Sequence, residues 1–338
     1  MKIYSKKDLN EYHQSLTYDD ISLIPTEVSR IKSRTEASTN CKLLGIDLGV
    51  PVVSSPMDTV TGIEMVDALN QVGCLGILNR FDSSLDSVLK ENENCQKIKA
   101  VSVALTISIK DVEKLVEHGY IICIDTANAN NKEVLRKTEE IKKKFGVKLI
   151  IGNIAHGASL QQLEDAGADA VRVGIGSGSV CSTSIQTGIG IGQVSSLLDV
   201  LFAREKYKLN ISIIADGGIK SAGDIAKAIA LGADAAMLGR MLSGTKETPG
   251  EVIKYSGQLW KKYRGSASFG VKMRNEYIEG EETMVAYKGT VKNVIDSISD
   301  GLRSSMSYMN CFTLDELRKT ETFAVLSNSS YLERLPRM

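Results

Sequence analysis

The chain has 338 residues, of which 43% are hydrophobic and 24% charged, and its 41 basic and 41 acidic side chains cancel to a net charge of zero. This composition is typical of a globular protein with a large core, and a balanced charge argues against nucleic acid or an anionic membrane as a partner. No apolar run approaches the roughly 18 residues of a membrane span and the first residues lack the apolar core of a signal peptide, so we expect a cytoplasmic protein without membrane contact.

Eight short β-rich runs alternate with amphipathic helical segments along the chain. In chain order the runs are "VPVVSS", "GCLGIL", "KAVSVAL", "GYIICID", "KLIIGNI", "DAVRVGI", "ISIIADGG" and "DAAMLG". The helical segments before the sixth and eighth runs end at Gly167 and Gly232, which fit C-cap glycines. Apolar strands that alternate with helices indicate a parallel sheet covered by helices, and eight such units predict a closed (β/α)8 TIM barrel. An open doubly wound sheet is the alternative, although no G-x-G-x-x-G motif follows the first strand.

The chain carries no low-complexity linker or charge block that would separate a second domain. We therefore predict a single barrel domain over residues 1–338. Residues 251–288 are polar and have little β-strand signal. We expect a long excursion there, followed by a final helix in "TVKNVIDSISDGLRSSMSYM".

In a barrel of this kind the active site gathers at the carboxyl ends of the strands. Residues suited to such a site follow most of the predicted strands. They are Ser54, Ser55, Met57 and Asp58 after the first, Asp125, Thr126 and Asn128 after the fourth, Asn153 after the fifth, Asp216, Gly217 and Gly218 after the seventh, and Gly239 and Arg240 after the eighth. All of them are expected to face one mouth of the barrel.

The loops after the seventh and eighth strands, in "IIADGGIKSAGD" and "AAMLGRMLSG", have the composition of a phosphate site. Glycine amides can approach an anion closely, and a helix N-terminus that follows would add positive potential. The alternative is ordinary turn chemistry, since Gly-Gly often follows a strand. Asp216 in this segment either binds a ribose diol or caps the next helix, and the spacing does not separate these two roles.

The loop after the sixth strand, "VGIGSGSVCSTSIQTGIG", places Cys181 among glycines and hydroxyl side chains. Six scattered cysteines without a C-x-x-C pair favour reduced thiols, and three histidines leave little basis for a zinc site or a Ser-His-Asp triad. Most free cysteines are small buried side chains, and Cys74 and Cys123 within strand runs fit that description. Cys181 does not, and loop amides or a helix N-terminus could favour its thiolate, so we predict a nucleophile. Carbonyl oxygens of Gly176, Gly178 and Cys181 could also bind a monovalent cation such as K+.

Glu279 lies in the predicted excursion, in "NEYIEGEETM". From there it could reach over the mouth as an acid or a base. Most exposed glutamates are solvated surface residues, so the local sequence alone does not select it.

Several longer stretches are informative when they are taken together. They are "LTYDDISLIP", "SRTE", "PVVSSPMDTVTG", "GNIAHGASLQQLEDAGADAVRVGIGSGSVCSTS", "IIADGGIKSAGDIAKAIALGADAAMLGRMLSG", "YRGSAS", and the final "YKG" and "DGLRSSMSY". In sequence and in order they resemble the IMP dehydrogenase / GMP reductase family, from about Leu16 to about Arg318. The resemblance covers nearly the whole chain, and the combination of motifs is highly specific.

The resemblance implies a (β/α)8 barrel, usually a homotetramer, that acts on a purine nucleoside monophosphate with a nicotinamide cofactor. It implies that Cys181 attacks purine C2 to form a covalent adduct and that Asp216 holds the ribose diol. The matching phosphate positions are Ser179, Gly218, Gly239, Arg240 and Tyr263, and further substrate positions are Ser55, Met57, Asn153, Gly265 and Ser266. The positions that line the nicotinamide side are Asp125, Thr126, Ala127 and Asn128.

Two activities share this framework. The dehydrogenase transfers hydride from IMP to NAD, hydrolyses the adduct with an Arg-Tyr pair on a mobile flap, and usually carries regulatory domains after the second strand. Here about twenty residues separate the second and third strands, too few for such an insert. In the short segment "FGVKMRNEYI", Arg274 and Tyr277 are not adjacent, and the ending "NEYIEGEE" is more similar to the shorter bacterial GMP reductases.

We therefore favour a GMP reductase, in which Cys181 attacks C2 of GMP and NADPH then reduces C2 to give IMP. The resemblance assigns Thr183 and Glu279 to protonation of the departing amine. Arg80, at the end of the second strand, either meets the 2′-phosphate of NADPH or is a solvated arginine of the barrel rim.

Some features depart from that pattern. "SSPMDTVTG" and Arg264 are more similar to the dehydrogenase, Ser177 replaces a usual proline, and Asn128 and Ala129 replace a polar-glycine pair. One alternative is an IMP dehydrogenase that lacks the regulatory insert and uses NAD. Others are a diverged member that uses a modified purine nucleotide and a non-catalytic purine nucleotide-binding protein, which would not need Cys181.

Overall fold

All eight predicted β-rich runs form strands, and these strands join in one sheet. The computed structural model describes residues 3–26, 28–81, 85, 88–89, 98–268 and 279–334. The strands are β1 (Ile3–Ser5), β2 (Ile21–Leu23), β3 (Cys41–Leu43), β4 (Ile46–Leu48), β5 (Val52–Ser54), β6 (Ile77–Leu78), β7 (Lys99–Val103), β8 (Tyr120–Asp125), β9 (Leu149–Ile154), β10 (Ala170–Val173), β11 (Ser212–Asp216), β12 (Ala235–Leu238), β13 (Ile253–Tyr255), β14 (Gln258–Arg264), β15 (Glu282–Ala286) and β16 (Thr322–Val325). The predicted runs correspond to β5–β12, which pair in the order β5-β12-β11-β10-β9-β8-β7-β6.

The parallel sheet closes on itself. An isolated parallel bridge joins Val53 of β5 to Leu75, just before β6. The Ser54 amide donates to the Leu75 carbonyl at 3.0 Å, and the Leu75 amide donates to the Val52 carbonyl at 3.1 Å. The ring of eight parallel strands confirms the predicted (β/α)8 barrel over the open sheet.

The predicted helices are also present and begin at polar caps. The helices are α1 (Lys6–Asn10), α2 (Ile63–Gln71), α3 (Ile109–Glu117), α4 (Lys132–Phe145), α5 (Leu160–Asp165), α6 (Thr183–Thr187), α7 (Gln193–Tyr207), α8 (Ala222–Leu231), α9 (Val291–Tyr308), α10 (Leu314–Arg318) and α11 (Asn328–Glu333). Side chains of Ser108, Asn131 and Thr290 accept a backbone N–H at the starts of α3, α4 and α9. Gly167 and Gly232, which follow α5 and α8, have φ of 100° and 128°, as expected of glycines that end helices.

The inside of the barrel is filled by alternate side chains of its strands. Val53, Ala100, Ile150 and Ile214 belong to one buried apolar cluster. The β3–β4 hairpin closes the amino-terminal end of the barrel with three buried leucines, Leu43, Leu44 and Leu48. Burying one such side chain stabilises the fold by about 1.5–3 kcal/mol, so this end is a packed floor and ligands are left with the opposite mouth.

Residues 251–288 contain strands that their weak β-strand signal did not indicate. β13, β14 and β15 form a three-stranded antiparallel sheet in this region. The strand signal is hidden because Lys261 occupies an inward position of β14, where its side chain is buried. Its ammonium donates to the carbonyl oxygens of Thr245 and Lys246 at 3.3 and 3.2 Å and also to that of Thr248, so the charge is satisfied inside the fold.

Two further features complete the described part of the chain. β1, β16 and β2 form a small antiparallel sheet that joins the amino-terminal and carboxyl-terminal segments. Among the helices in the described ranges, none is long and apolar enough to cross a membrane.

Candidate active site

The barrel mouth is crossed by one buried arginine, Arg172, on β10. Its Nη1 donates to Asp125 Oδ1 on β8 at 2.6 Å, while its Nε and Nη2 donate to Asp216 Oδ2 on β11 at 3.1 and 2.9 Å. Gly152 lies on β9, the strand between β8 and β10. A Cβ at this position would be only 2.6 Å from the Arg172 Cβ, so glycine provides the space for the arginine. Although burial lowers the pKa of the Arg172 guanidinium, Asp216 and Asp125 raise it by more, so that it remains charged.

Asp216 is held as a ligand-binding carboxylate would be, and the alternative role as a helix cap is wrong. Asn153 Nδ2 also donates to its Oδ2, at 2.8 Å, and within the described ranges no hydrogen bond uses the other oxygen, Oδ1. The cap of α8 is Ser221, whose side chain accepts the amide of Asp224. Asp216 therefore has one anchored oxygen and one that can accept from a diol.

Four residues predicted for the substrate site meet around Gly239. A Cβ on Gly239 would lie 3.1 Å from Tyr263 Oη, 3.3 Å from Met57 Sδ and 3.5 Å from Ser55 Oγ. Tyr263 Oη is in turn 3.1 Å from Ser179 Oγ in the cysteine loop. Hydroxyl groups from two loops and from β14 thus surround a space that only glycine leaves open, an arrangement that suits a phosphate group.

The other predicted phosphate residues occupy different positions. The Gly218 amide donates to the Ser177 carbonyl at 2.9 Å, so it already has a partner inside the loop. The side chain of Arg240 is exposed, and its carbonyl accepts from Lys288 Nζ at 2.8 Å. Burial together with the nearby Arg240 charge lowers the pKa of Lys288, which shows that the two basic side chains lie close to each other.

The expected helix N-terminus does not contribute to this site. After β12 the chain forms turns over residues 239–250 instead of a helix. α8, which follows the β11 loop, carries Asp224 in its first turn, and the Asp224 carboxylate accepts from the Lys220 amide at 3.1 Å. This end of α8 is therefore capped by its own acid, and that part of the phosphate prediction is wrong.

The loop that carries Cys181 is paired with the segment that carries Glu279. The Ser182 amide donates to the Glu279 carbonyl at 2.9 Å, and the Glu281 amide donates to the Val180 carbonyl at 2.9 Å. Cys181 and Gly280 form an antiparallel bridge between these bonds. Because a two-stranded pairing fixes which side chains face each other, it brings the thiol and the carboxylate into one site.

Cys181, Thr183 and Glu279 form a continuous hydrogen-bonded chain. The Cys181 thiol donates to Thr183 Oγ1 at 3.2 Å, and the Thr183 hydroxyl donates to Glu279 Oε2 at 2.8 Å. A proton can therefore move between the thiol and the carboxylate through one hydroxyl group. The structure brings together Cys181, which is the predicted nucleophile, and the two residues that the resemblance assigns to protonation of the departing amine.

Ser177, which stands where the family usually has proline, ties the cysteine loop to α7. Its hydroxyl donates to Gln193 Oε1 at 2.8 Å, and Gln193 Nε2 donates to the Val173 carbonyl at 2.6 Å. Gln193 is buried, so these bonds are shielded from water. A side-chain hydrogen bond thus restrains the loop where a proline ring would otherwise do so.

Residues predicted for the cofactor lie at the β6 and β8 ends. Arg80 Nε is 3.6 Å from Asp125 Oδ2 and its guanidinium covers the Phe81 ring at 4.3 Å, so the side chain is a rim arginine with a defined partner. Thr126 Oγ1 donates to the Gly152 carbonyl at 2.9 Å, while Ala127 and Asn128 are exposed. Ala127 and Asn128 thus leave this edge of the mouth exposed to solvent.

The remaining predicted positions lie in turns beside the Cys181 loop or within it. Gly265 and Ser266 follow β14, and the Gly265 amide donates to the Glu281 carbonyl at 3.0 Å. The Gly178 carbonyl accepts the Cys181 amide at 3.1 Å, and Gly176 has a φ of 84°. A carbonyl oxygen has two lone pairs, so the Gly178 oxygen can still contribute to a cation site. Cys95, Arg274 and Tyr277 lie outside the described residues.

We expect Cys181 to be the first described cysteine to react with iodoacetamide at pH 8. Burial raises the pKa of Cys74 to about 12 and that of Cys41, Cys123 and Cys311 to about 11. These groups are protonated at pH 8, whereas Cys181 is half-buried in the mouth, so we expect it to react roughly tenfold faster or more. Peptide mass spectrometry over time measures the order, and alkylation of Cys74 or Cys123 before Cys181 would contradict it.

Arg264 stabilises the turn beside Cys181 through a buried carboxylate. Its Nε donates to Asp58 Oδ2 at 2.6 Å, its Nη2 contacts the same oxygen, and Asp58 is 4% exposed. Arg264→Ala would leave Asp58 buried without this partner, so we expect a loss of about 3–5 kcal/mol in the free energy of unfolding. Urea denaturation measures the loss. Lys262→Ala, at an exposed position of β14, should change stability by less than about 0.5 kcal/mol, and an equal effect of both changes would refute the buried pair.

Sequence reasoning missed three residues of the mouth. Arg172 is signalled only by being a charged residue within the apolar run "DAVRVGI", and Gln193 has no evident signal. Tyr18, in "LTYDDISLIP", is fully buried, its ring is 3.6 Å from a Cβ placed on Gly218, and its hydroxyl has no partner among the described residues. Burial raises the pKa of Tyr18, so its hydroxyl remains a donor.

Comparisons with known proteins agree with this geometry. The family model described as "IMP dehydrogenase / GMP reductase domain" matches residues 15–337. The chain is 32% identical to the inosine-5′-monophosphate dehydrogenase of Borreliella burgdorferi over 96% of each chain, and 33% identical to the GMP reductase of Bacillus subtilis over 93% of this chain and 97% of that one. It is also 41% identical to the inosine-5′-monophosphate dehydrogenase of Aquifex aeolicus over 66% of this chain and 48% of that one.

Proposed function

The chain belongs to the IMP dehydrogenase / GMP reductase family, and we propose that within this family it is a GMP reductase that converts GMP to IMP and ammonia with oxidation of NADPH. Members of the family are oxidoreductases that act on purine nucleoside monophosphates with a nicotinamide cofactor. The two activities differ in what leaves purine C2. The reductase expels ammonia, whereas the dehydrogenase must hydrolyse a covalent adduct.

The hydrogen-bonded chain from Cys181 through Thr183 to Glu279 is the observation that carries this proposal. Ammonia cannot leave a purine as an amide anion, so a reductase needs a proton donor beside the nucleophile. The carboxylate of Glu279 is one hydroxyl group away from the thiol and can accept its proton. The same proton can then be returned through Thr183 to the departing amine.

In the proposed first half-reaction, the proton of the Cys181 thiol moves through Thr183 to Glu279. The sulfur forms a bond to C2 of GMP, the bond from C2 to the exocyclic nitrogen breaks, and the returned proton completes ammonia. The products are free ammonia and a purine bonded through C2 to Cys181. In the second half-reaction C2 gains a hydride and its bond to sulfur breaks, which gives IMP and a Cys181 thiolate that takes a proton from solvent.

The nicotinamide cofactor supplies that hydride when it is bound. The residues that we propose to hold it are Arg80, Asp125, Thr126, Ala127 and Asn128 at the open edge of the mouth. On the opposite side, Asp216 Oδ1 would accept from the ribose diol. The hydroxyl groups around Gly239 would hold the 5′-phosphate, together with Arg240.

The dehydrogenase is the second candidate, and the 41% identity to the Aquifex aeolicus enzyme favours it. Its adduct must be hydrolysed by an activated water, which needs a free base. The family resemblance assigns that base to an Arg-Tyr pair on the flap, and the candidates here, Arg274 and Tyr277, are separated by two residues in the sequence. This separation favours the reductase.

Absorbance at 340 nm tests the assignment with purified protein. With GMP and NADPH we expect absorbance to fall, and with IMP and NAD we expect no increase. An increase with IMP and NAD, without any fall with GMP and NADPH, would overturn the assignment in favour of the dehydrogenase. Nucleotide binding without either change would indicate a non-catalytic binding protein.

We further propose that the enzyme is a cytoplasmic homotetramer that is activated by K+. Free thiols suit a reducing compartment, and the exposed apolar side chains of Ile253, Tyr255 and Met284 on the β13–β15 sheet suit a subunit contact. Light scattering should give four times the chain mass of 36.7 kDa, and a monomer would refute the assembly. Replacing K+ by Li+ should lower the rate if the carbonyl groups of the Cys181 loop bind the cation.

A further inference from the structure

Four charged side chains of alternating sign form a line across the barrel mouth. Arg80 on the rim is 3.6 Å from Asp125, Asp125 is 2.6 Å from Arg172, and Arg172 is 2.9 Å from Asp216. The line runs from the end of β6 to the end of β11, between the proposed cofactor and ribose positions. Its two inner members, Asp125 and Arg172, make direct contact while their side chains are only 14% and 8% exposed.

The middle of this line is geometrically rigid. Arg172 uses two nitrogens on Asp216 Oδ2 and a third on Asp125 Oδ1. Because a guanidinium group is planar, its donors cannot move independently, so a rotation that improves the contact with one aspartate changes the contact with the other. The backbone offers little freedom either, since the packing of Arg172 against Gly152 is tight.

Each end of the line has one group left for a ligand. Asp216 has an oxygen, Oδ1, that no described residue hydrogen-bonds, whereas Asp125 uses Oδ1 for Arg172 and Oδ2 for Arg80. Arg80 is about a third exposed, and its contact with Asp125 is long, at 3.6 Å. A cofactor phosphate can therefore compete for it. A ligand that binds Arg80 leaves Arg172 as the main partner of Asp125. This contact fixes the plane of the Arg172 guanidinium group, which also orients Asp216.

We propose that Arg172 is a positioning residue that couples the nucleotide site to the cofactor site, so that the ligand bound first prepares the carboxylate used by the second. The inference rests on the proposed positions of the two ligands. It predicts that nucleotide and cofactor bind more tightly together than separately. By reciprocity, the factor is the same whichever ligand binds first.

Binding to the Cys181→Ala protein tests the coupling, because without the thiol no covalent step disturbs the equilibrium. Isothermal titration calorimetry measures the dissociation constant of GMP with and without saturating NADP+. We expect NADP+ to tighten GMP binding at least about fivefold, within the usual range of coupling between sites. In Arg172→Lys the ratio should fall to within about twofold of one, because an ammonium group cannot contact both carboxylates as the fork does.

Two further variants exclude a general structural effect. Arg204→Lys makes the same change in an arginine–aspartate pair with Asp234 on the outer side of the barrel, and it should retain the full coupling ratio. Asp125→Asn cuts the line at its other joint and should also abolish the ratio, which keeps the test decisive if Arg172→Lys does not fold. A ratio near one in the parent protein, or a retained ratio in Arg172→Lys or Asp125→Asn, would overturn the proposal.

The same titrations with IMP and NAD+ separate this inference from the proposed activity. Coupling with IMP and NAD+ but not with GMP and NADP+ would overturn the reductase assignment and support the role of Arg172. Coupling with GMP and NADP+ that survives Arg172→Lys would overturn the role of Arg172 and would support the reductase assignment.

Discussion

Replacing Cys181 with alanine is expected to lower kcat for GMP reduction by about 10⁴-fold or more, while the dissociation constant for GMP stays within about fivefold of the parent value. The bond between sulfur and C2 is the first covalent event of the proposed reaction, and neither Thr183 nor Glu279 can replace the thiol as a nucleophile. Loss of a covalent nucleophile in other enzymes has effects of this size or greater. The nucleotide contacts around Gly239 and Asp216 do not involve the sulfur, so binding should persist.

Steady-state assays and calorimetry of the same preparation measure both quantities. Cys311→Ala is the matched control, because Cys311 is buried away from the mouth in the turn between α9 and α10. It should keep kcat within about twofold of the parent protein. Turnover in Cys181→Ala at more than a tenth of the parent rate would remove the covalent mechanism.

Replacing Glu279 with glutamine is expected to lower kcat by about 10²- to 10⁴-fold, the usual range for loss of an acid–base group. In the parent protein the Thr183 hydroxyl donates to Glu279 Oε2 at 2.8 Å. An uncharged amide keeps the shape of the side chain, but it cannot take the thiol proton or return it to the amine. Ammonia release should therefore become the slow step, and the rate of ammonia formation in a single turnover should fall in proportion.

Two further variants show whether Thr183 and Glu279 act as one unit. Thr183→Val should produce a similar loss, and the double variant should be little worse than either single one, because each change breaks the same proton path. Glu281→Gln changes an exposed neighbour, which contacts the cysteine loop through its backbone amide, and should leave kcat within about twofold. Additive losses from Thr183→Val and Glu279→Gln would show that the two residues do not share one proton.

The barrel could be predicted from the sequence because its signals are local and repeated. Each apolar run is bounded by polar or glycine residues, and the ends of the strands place Cys181, Asp125 and Asp216 at one mouth by topology alone. Glu279 was assigned through the resemblance, since nothing in its neighbourhood distinguishes it from a solvated glutamate. The pairing of residues 279–281 with residues 180–182 is a long-range contact that no local pattern encodes.

Features that depend on buried charge could not be predicted in this way. Lys261 and Arg172 both lie within strands and both are buried, against the usual preference of charged residues for the surface. Each is tolerated because specific acceptors surround it, three carbonyl groups for Lys261 and two carboxylates for Arg172. Such acceptors come from distant parts of the chain and are known only once the fold is known.

In the proposed reaction a purine amine leaves from C2 as ammonia while NADPH is oxidised. Parallel measurement of ammonia release and of NADPH oxidation, with GMP as substrate, tests this most directly. We predict one ammonia for each NADPH, with IMP as the purine product and both signals lost together in Cys181→Ala. Formation of XMP and NADH from IMP, with no ammonia released from GMP, would contradict it.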